Sequence, residues 1–185
     1  MGLHRAGFDV VGIDIKPQPR YPFTFVRGDA LCPPFRLSDF DLIWASPPCQ
    51  GYSRTRHLPW LKEKKRPLLI PAVREMLRGH PCTIIENVEG APLRVDADLW
   101  GGMFGLSFRR RRWFEASFAI MAPSRMREPV GVGGRMFGNR LRDQHDRLEV
   151  GDGQSIPWQY SEHIGRYAMM ALEREGRAGS PAGTE

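Results

Sequence analysis

The sequence predicts an α/β domain built on a mainly parallel sheet, and three observations predict it. Apolar runs of strand length occur at 42–45 and 81–88, a segment with helical spacing at 70–78 separates them, and a second helical pattern follows at 158–174. Runs this uniformly apolar suit strands covered on both faces. With 185 residues, 41% hydrophobic and 26% charged, the chain has the length and balance for one globular core.

The first strand is expected over Phe8–Ile15, Phe-Asp-Val-Val-Gly-Ile-Asp-Ile, which carries Asp14 to its carboxyl end. The second, Phe23–Ala30, alternates and closes on Gly28-Asp29. Each aspartate is either a turn residue or an acceptor for ligand hydroxyl and amino groups. The third, Leu42–Ala45, has the composition of a central strand, and Pro47-Pro48 cannot continue it, so Cys49 falls just past its carboxyl end, where open α/β sheets bind ligands. Cys49 is there as a nucleophile or as a small buried hydrophobe.

Arg54–Arg66 mixes basic and aromatic residues and reads as a phosphate-contacting or solvated loop. Over 70–78, Ile70, Val73, Met76 and Leu77 share one face, Pro71 is tolerable in the first turn, and Gly79 suits the C-terminal cap. Pro81–Val88 is the next strand and ends in Glu86-Asn87-Val88. A carboxylate closing a buried strand is desolvated and keeps its proton to higher pH, unless it caps the next turn in solvent. Four arginines, Arg109–Arg112, then precede an aromatic strand; alternation gives Arg110 and Arg112 one face and Arg109 and Arg111 the other. Such a run is a solvated face, a phosphate clamp, or a site for developing negative charge.

From Ala119 to Gly153 the text is rich in Gly and Arg with little periodicity. Trp158–Arg174 follows as a helix with Ile164, Tyr167, Ala168 and Ala171 towards the core, and 176–185 is a small, polar, disordered tail. Cys32, Cys49 and Cys82 are too widely spaced for a disulfide framework or a zinc site, so reduced thiols are expected and no metal. A net charge of +6 suits a polyanionic partner. Without a signal peptide or a membrane-length apolar run, the expected location is intracellular, in the cytoplasm of a bacterium or a phage-infected host, with no membrane partner.

Taken together, Pro48-Cys49-Gln50, Glu86-Asn87-Val88 and Arg110-x-Arg112, in that order, resemble the signatures of the cytosine-5 DNA methyltransferases. The resemblance covers residues 2–118 closely and 153–172 more loosely. It implies a Rossmann-like sheet that binds S-adenosyl-L-methionine, and double-stranded DNA as partner. It also implies that Cys49 attacks carbon 6 of a flipped cytosine, Glu86 contacts N3, and Arg112, with Arg110, serves O2. Asp14 matches an acidic ribose ligand that is usually Glu, and Asp29 matches the residue contacting the adenine amino group; Ile15, Pro48 and Gln154 complete the implied cofactor set. Gln50, Ser53, Asn87 and Val88 are the implied DNA contacts, Ser53 at the target phosphate. Two positions depart from the pattern: Phe108 stands where the family has Gln, and Gln154, in Gly153-Gln154-Ser155-Ile156-Pro157, replaces Asn. The family's penultimate motif has no match.

The family opens with a further strand and a glycine-rich loop, whereas this text is family-like only from Gly2. That strand lies between those at 8–15 and 42–45, and leaving it out would orphan backbone groups at about 1–3 kcal/mol each. Three arrangements answer this: a start upstream of Met1, which is favoured; a strand supplied by a second chain; or direct pairing of the two neighbours. The expected organisation is a catalytic core over 1–118, a short target-recognition-like insert over 119–152, a return helix over 153–175 and the tail. At about 35 residues the insert is too short for its own core, so a short or loosely defined DNA site and a phage or mobile-element source are expected. The expected activity is DNA (cytosine-5) methylation, of the kind used in restriction–modification. The alternatives are an inactive or split DNA-binding remnant, a tRNA cytosine-5 methyltransferase, and a small basic structural domain.

Overall fold

The computed structural model describes residues 1–53, 67–106, 108–124 and 156–176. Two segments rich in β-branched and aromatic residues form β1 (Val11–Asp14) and β2 (Thr24–Arg27), which pair in parallel from Val11↔Thr24 to Asp14↔Arg27. A second sheet holds β3 (Ile43–Ala45), β4 (Thr83–Val88), β5 (Ala97–Leu99) and β6 (Arg112–Ala116) in the order β3-β4-β6-β5. β3 and β4 are parallel; β6 runs antiparallel to both β4 and β5. The architecture is therefore mixed α/β, with a four-stranded mixed sheet rather than a mainly parallel one.

Direct pairing of β1 with β3 does not occur. Among the described residues β1 bonds only to β2 and β3 only to β4, so β1 and β3 are edge strands of two separate sheets. No residue of β1 or β2 is fully buried, unlike the four of β4, Ile84–Asn87.

Helix α1 (Gly2–Arg5) rests on the carboxyl-terminal helix, because Gly2 has no side chain: a Cβ there would stand 2.1 Å from Ser161 Oγ. The Arg5 guanidinium stacks 3.9 Å over the Trp158 ring at the same contact. Helix α2 (Ile70–Met76) turns Ile70 and Val73 inward, with Leu77 just beyond it, and Gly79 follows with positive φ, as the spacing predicts. Helix α3 (Trp158–Arg174) covers one face of the four-stranded sheet with Tyr160 and Ile164, while Ala168 and Leu172 close on Cys82. Tyr167 and Ala171, expected in the core, are only half-buried. Phe114, Ile84, Leu99, Tyr160 and Ile164 form the main core, each worth about 1.5–3 kcal/mol of apolar burial.

The expected strands at 8–15, 23–30 and 81–88 are thus shorter in the fold, and β5 was not foreseen. Among the described residues no helix is long and apolar enough to cross a membrane. Arg54–Arg66, Gln154, residues 125–152 of the expected insert and 177–185 of the expected tail lie outside the described residues.

Candidate functional site

Topology brings three segments to one end of the four-stranded sheet. β3 and β4 are parallel, with Ala45 opposite Ile85, so the loop leaving β3 at Ser46 emerges beside the carboxyl half of β4. β6 runs the other way, and its first residue, Arg112, lies opposite Val88 at that same end. Cys49, Glu86 and the arginine run meet there, far apart in sequence but adjacent in the fold.

Pro47 and Pro48 have no N–H to extend a ladder, and the chain turns through a single 3₁₀ turn, Cys49–Gly51. Tyr52 N and Ser53 N both donate to the Cys49 carbonyl at 3.0 Å, which fixes the turn. None of the three cysteines is in a disulfide: Cys32 is exposed, Cys82 buried and Cys49 half-buried. Gln50 and Pro48 flank it in solvent, and Ser53 is half-buried.

Glu86 is 7% exposed, one of two buried polar residues in the described fold. Its Oε1 lies 3.0 Å from Arg112 Nε, and the Ser46 hydroxyl donates to it while accepting from Trp44 Nε1 at 3.0 Å. Two effects compete here. Burial pushes the Glu86 pKa up, while Arg112, the Ser46 hydrogen bond and Arg110 pull it down; burial prevails and the carboxyl retains its proton above the usual carboxylate range. The ion-pair geometry with Arg112 therefore coexists with a carboxyl that resists ionisation, because desolvation outweighs the nearby charge.

Arg110 precedes β6 and is the one non-glycine residue with positive φ among those described, at +27°. Strand alternation from Arg112 therefore does not place it; the reversed backbone does. Burial lowers its pKa, helped by Arg112, while Tyr160, Glu86 and Cys49 act the other way, so its guanidinium lies within electrostatic reach of both candidate catalytic groups. Arg111 turns aside, donating from Nη1 to Glu89 at 2.8 Å and from Nε to Asp98 at 2.8 Å. Arg109 is exposed.

Asn87 is the other buried polar residue, 1% exposed, and lies on the opposite face of β4 from Glu86. Its Nδ2 donates to the Pro47 carbonyl at 2.9 Å, and its Oδ1 accepts from Val88 N at 3.0 Å. It anchors the loop that carries Cys49. Val88 packs against Tyr52, Ile70 and Ala91.

Asp14 and Asp29 sit at the carboxyl end of β1 and just past β2. Asp14 accepts from Lys16 N at 2.8 Å and Gln18 Nε2 at 3.3 Å, and Asp29 from Leu31 N at 2.9 Å, so each also closes its own turn. Neither carboxylate is sealed from solvent, and each retains lone pairs for further donors, which fits the hydroxyl and amino groups of a nucleoside cofactor. Ile15 is 63% exposed beside Asp14. A surface hollow lined by Arg74, Arg78, Arg94 and Glu115 lies away from Cys49; its guanidiniums are tied to Glu115, Glu75 and Asp96 and make up a structural ion-pair network.

Ser46 and Tyr160 join this site without having been expected there. Aligning the two apolar runs would have set Ser46 beside Glu86; no sequence signal marks Tyr160, whose hydroxyl donates to the Arg110 carbonyl at 3.1 Å. Compared with protein-family models, curated proteins and solved structures, the chain matches none.

Proposed function

We propose that the chain is a DNA (cytosine-5)-methyltransferase. The observation that carries this reading is the convergence of a half-buried thiol, a buried proton-retaining carboxyl and two arginines at one sheet end. A pyrimidine ring flipped out of the helix would enter here. Cys49 forms the bond to carbon 6, pushing the ring's electrons towards O2 and N3. Glu86 donates its proton or a hydrogen bond to N3, and Arg112, with Arg110 behind it, stabilises charge on O2. Carbon 5 is thereby made nucleophilic. Asp14 and Asp29, with Ile15 beside them, would hold S-adenosylmethionine, whose sulfonium would supply the methyl group to carbon 5 and leave as S-adenosylhomocysteine. Loss of the carbon 5 proton to a base then expels Cys49 as the ring regains its double bond.

The deciding experiment incubates the chain and its Cys49→Ser variant with S-adenosylmethionine and either DNA or tRNA, and reads 5-methylcytosine by mass spectrometry. Methylated DNA from the first but not the second supports the reading; methylation of tRNA alone moves the substrate to RNA. Cofactor binding by calorimetry without any methyl transfer would reduce the chain to a remnant that holds the fold and lacks the reaction. One observation favours a split enzyme as a second reading: among the described residues β1 and β3 each have a single strand neighbour, and a strand from another chain would join there. Methylation that appears only when a second chain is co-expressed would select it.

A further inference from the structure

We infer that Tyr160 is a positioning residue for Arg110, its hydroxyl holding the Arg110 backbone in the left-handed conformation that turns the Arg110 guanidinium towards Glu86 and Cys49, beside the Arg112 that the β4–β6 register places on Glu86. The role rests on the proposed reaction only in its kinetic consequence.

Arg110 pays a steric penalty at φ +27°, because its Cβ is crowded there, and such residues persist only where their surroundings over-determine them. Two restraints do so. On one side Gly101 N donates to the Arg109 carbonyl at 2.8 Å, and Gly101 is packed so closely that a Cβ would stand 1.8 Å from the Phe108 carbonyl oxygen. On the other, Tyr160 Oη donates to the Arg110 carbonyl at 3.1 Å. Tyr160 is wholly buried and immobilised by Phe104, at 5.0 Å between ring centroids, and by Phe114. Burial also keeps its phenol protonated, so the donor persists across the working pH range. The hydroxyl therefore joins the first turn of α3 to the residue where the chain reverses before β6. Without it, the part-buried Arg110 carbonyl loses that hydrogen bond and the backbone is released towards negative φ. The Arg110 guanidinium would then withdraw from Glu86 and Cys49, on both of which its charge acts.

Tyr160→Phe keeps the ring that fills the core and deletes only the donor; Tyr167→Phe, two turns further along α3 and half-buried, is the control. The Glu86 carboxyl is followed by carbon NMR in glutamate-labelled full-length chain, assigned with Glu86→Gln, through a pH titration. Because Arg110 lowers the Glu86 pKa, Tyr160→Phe is expected to raise its midpoint by about half a pH unit, with faster amide exchange over 108–112, while Tyr167→Phe changes neither. Methyl transfer should lose about tenfold in kcat with KM for S-adenosylmethionine unchanged. An unmoved Glu86 midpoint in a folded Tyr160→Phe chain overturns the inference, whatever the kinetics. Should the unmodified chain transfer no methyl group, the reaction is wrong and the titration alone still decides Tyr160.

Discussion

Arg112 Nε lies 3.0 Å from Glu86 Oε1, with both side chains largely withdrawn from solvent. The register makes this contact: Arg112 faces Val88 across the ladder, and Glu86 is two residues back on the same face of β4. Replacing Arg112 with Met should lower kcat by about a hundredfold or more through loss of charge stabilisation at O2. It should also raise the Glu86 pKa further, because Arg112 is the largest influence opposing burial. The alkaline limb of the pH–rate profile then moves to higher pH, and a profile that stays put while kcat falls would separate Arg112 from Glu86.

Glu86→Gln carries the opposite lesson for stability. A carboxyl whose folded pKa is raised contributes stability that is full below its ordinary value, 4.5, and is lost as pH rises through the folded value. Gln has no charge to bury. The variant is therefore expected to match the natural chain in acid and to exceed it in stability near neutrality, at about 1.4 kcal/mol per unit by which the pKa is raised. Urea midpoints at several pH values between 4 and 8, on the order of those set by these pKa values, test the sign; a variant less stable at neutral pH would mean that the Arg112 pair outweighs burial.

Glu115 behaves in reverse. Arg74 donates to both its oxygens, at 2.8 and 2.7 Å, and Arg94 N to one of them at 2.9 Å, which holds its pKa below the ordinary value. Its contribution is present above about 4.5 and disappears as pH falls through the lowered value. Solvent reaches Arg74, so Glu115→Gln should cost only about 0.5–1 kcal/mol at pH 7. Thermal melts should show that gap closing on acidification.

Tyr52 ties the turn at Cys49 to α2. Its hydroxyl accepts from the buried Ile70 N at 3.1 Å, where the helix has no side-chain cap of its own. Tyr52→Phe leaves that N–H unsatisfied, at about 1–2 kcal/mol. Because the Tyr52 amide also closes the Cys49 turn, alkylation of Cys49 in a Cys32→Ser background should change in rate as well as the chain losing stability.

Much of this arrangement can be read from the residues. The apolar run that becomes β4 and the helical spacing of α3 identify themselves, because burial on a strand or along one helix stripe leaves a periodic trace. Cys49, Glu86 and Arg112 are legible for another reason, since each sits where an apolar run gives way to polar text. β5 is not legible: three residues with Asp98 at the centre carry no periodicity. The division into two sheets is equally hidden, because pairing between distant strands has no local signature. Alternation set Arg110 and Arg112 on one face of a strand that in fact begins at Arg112, and the reversal at Arg110 is made by Tyr160 and Gly101, both remote in sequence or unremarkable there.

The exposed two-stranded sheet divides the molecule into regions of unequal cooperativity. With two short strands, no fully buried residue and, among the described residues, no further strand on either edge, β1 and β2 should open by local fluctuation, and their amides should exchange orders of magnitude faster than those of β4, which need global unfolding. Asp14 and Asp29 therefore stand on the more easily melted of the two described sheets, so a molecule gripping them acts as a splint. Its binding would be paid partly in ordering entropy, and protection appearing over 11–27 alone would report occupancy more sensitively than any change in the melting of the whole.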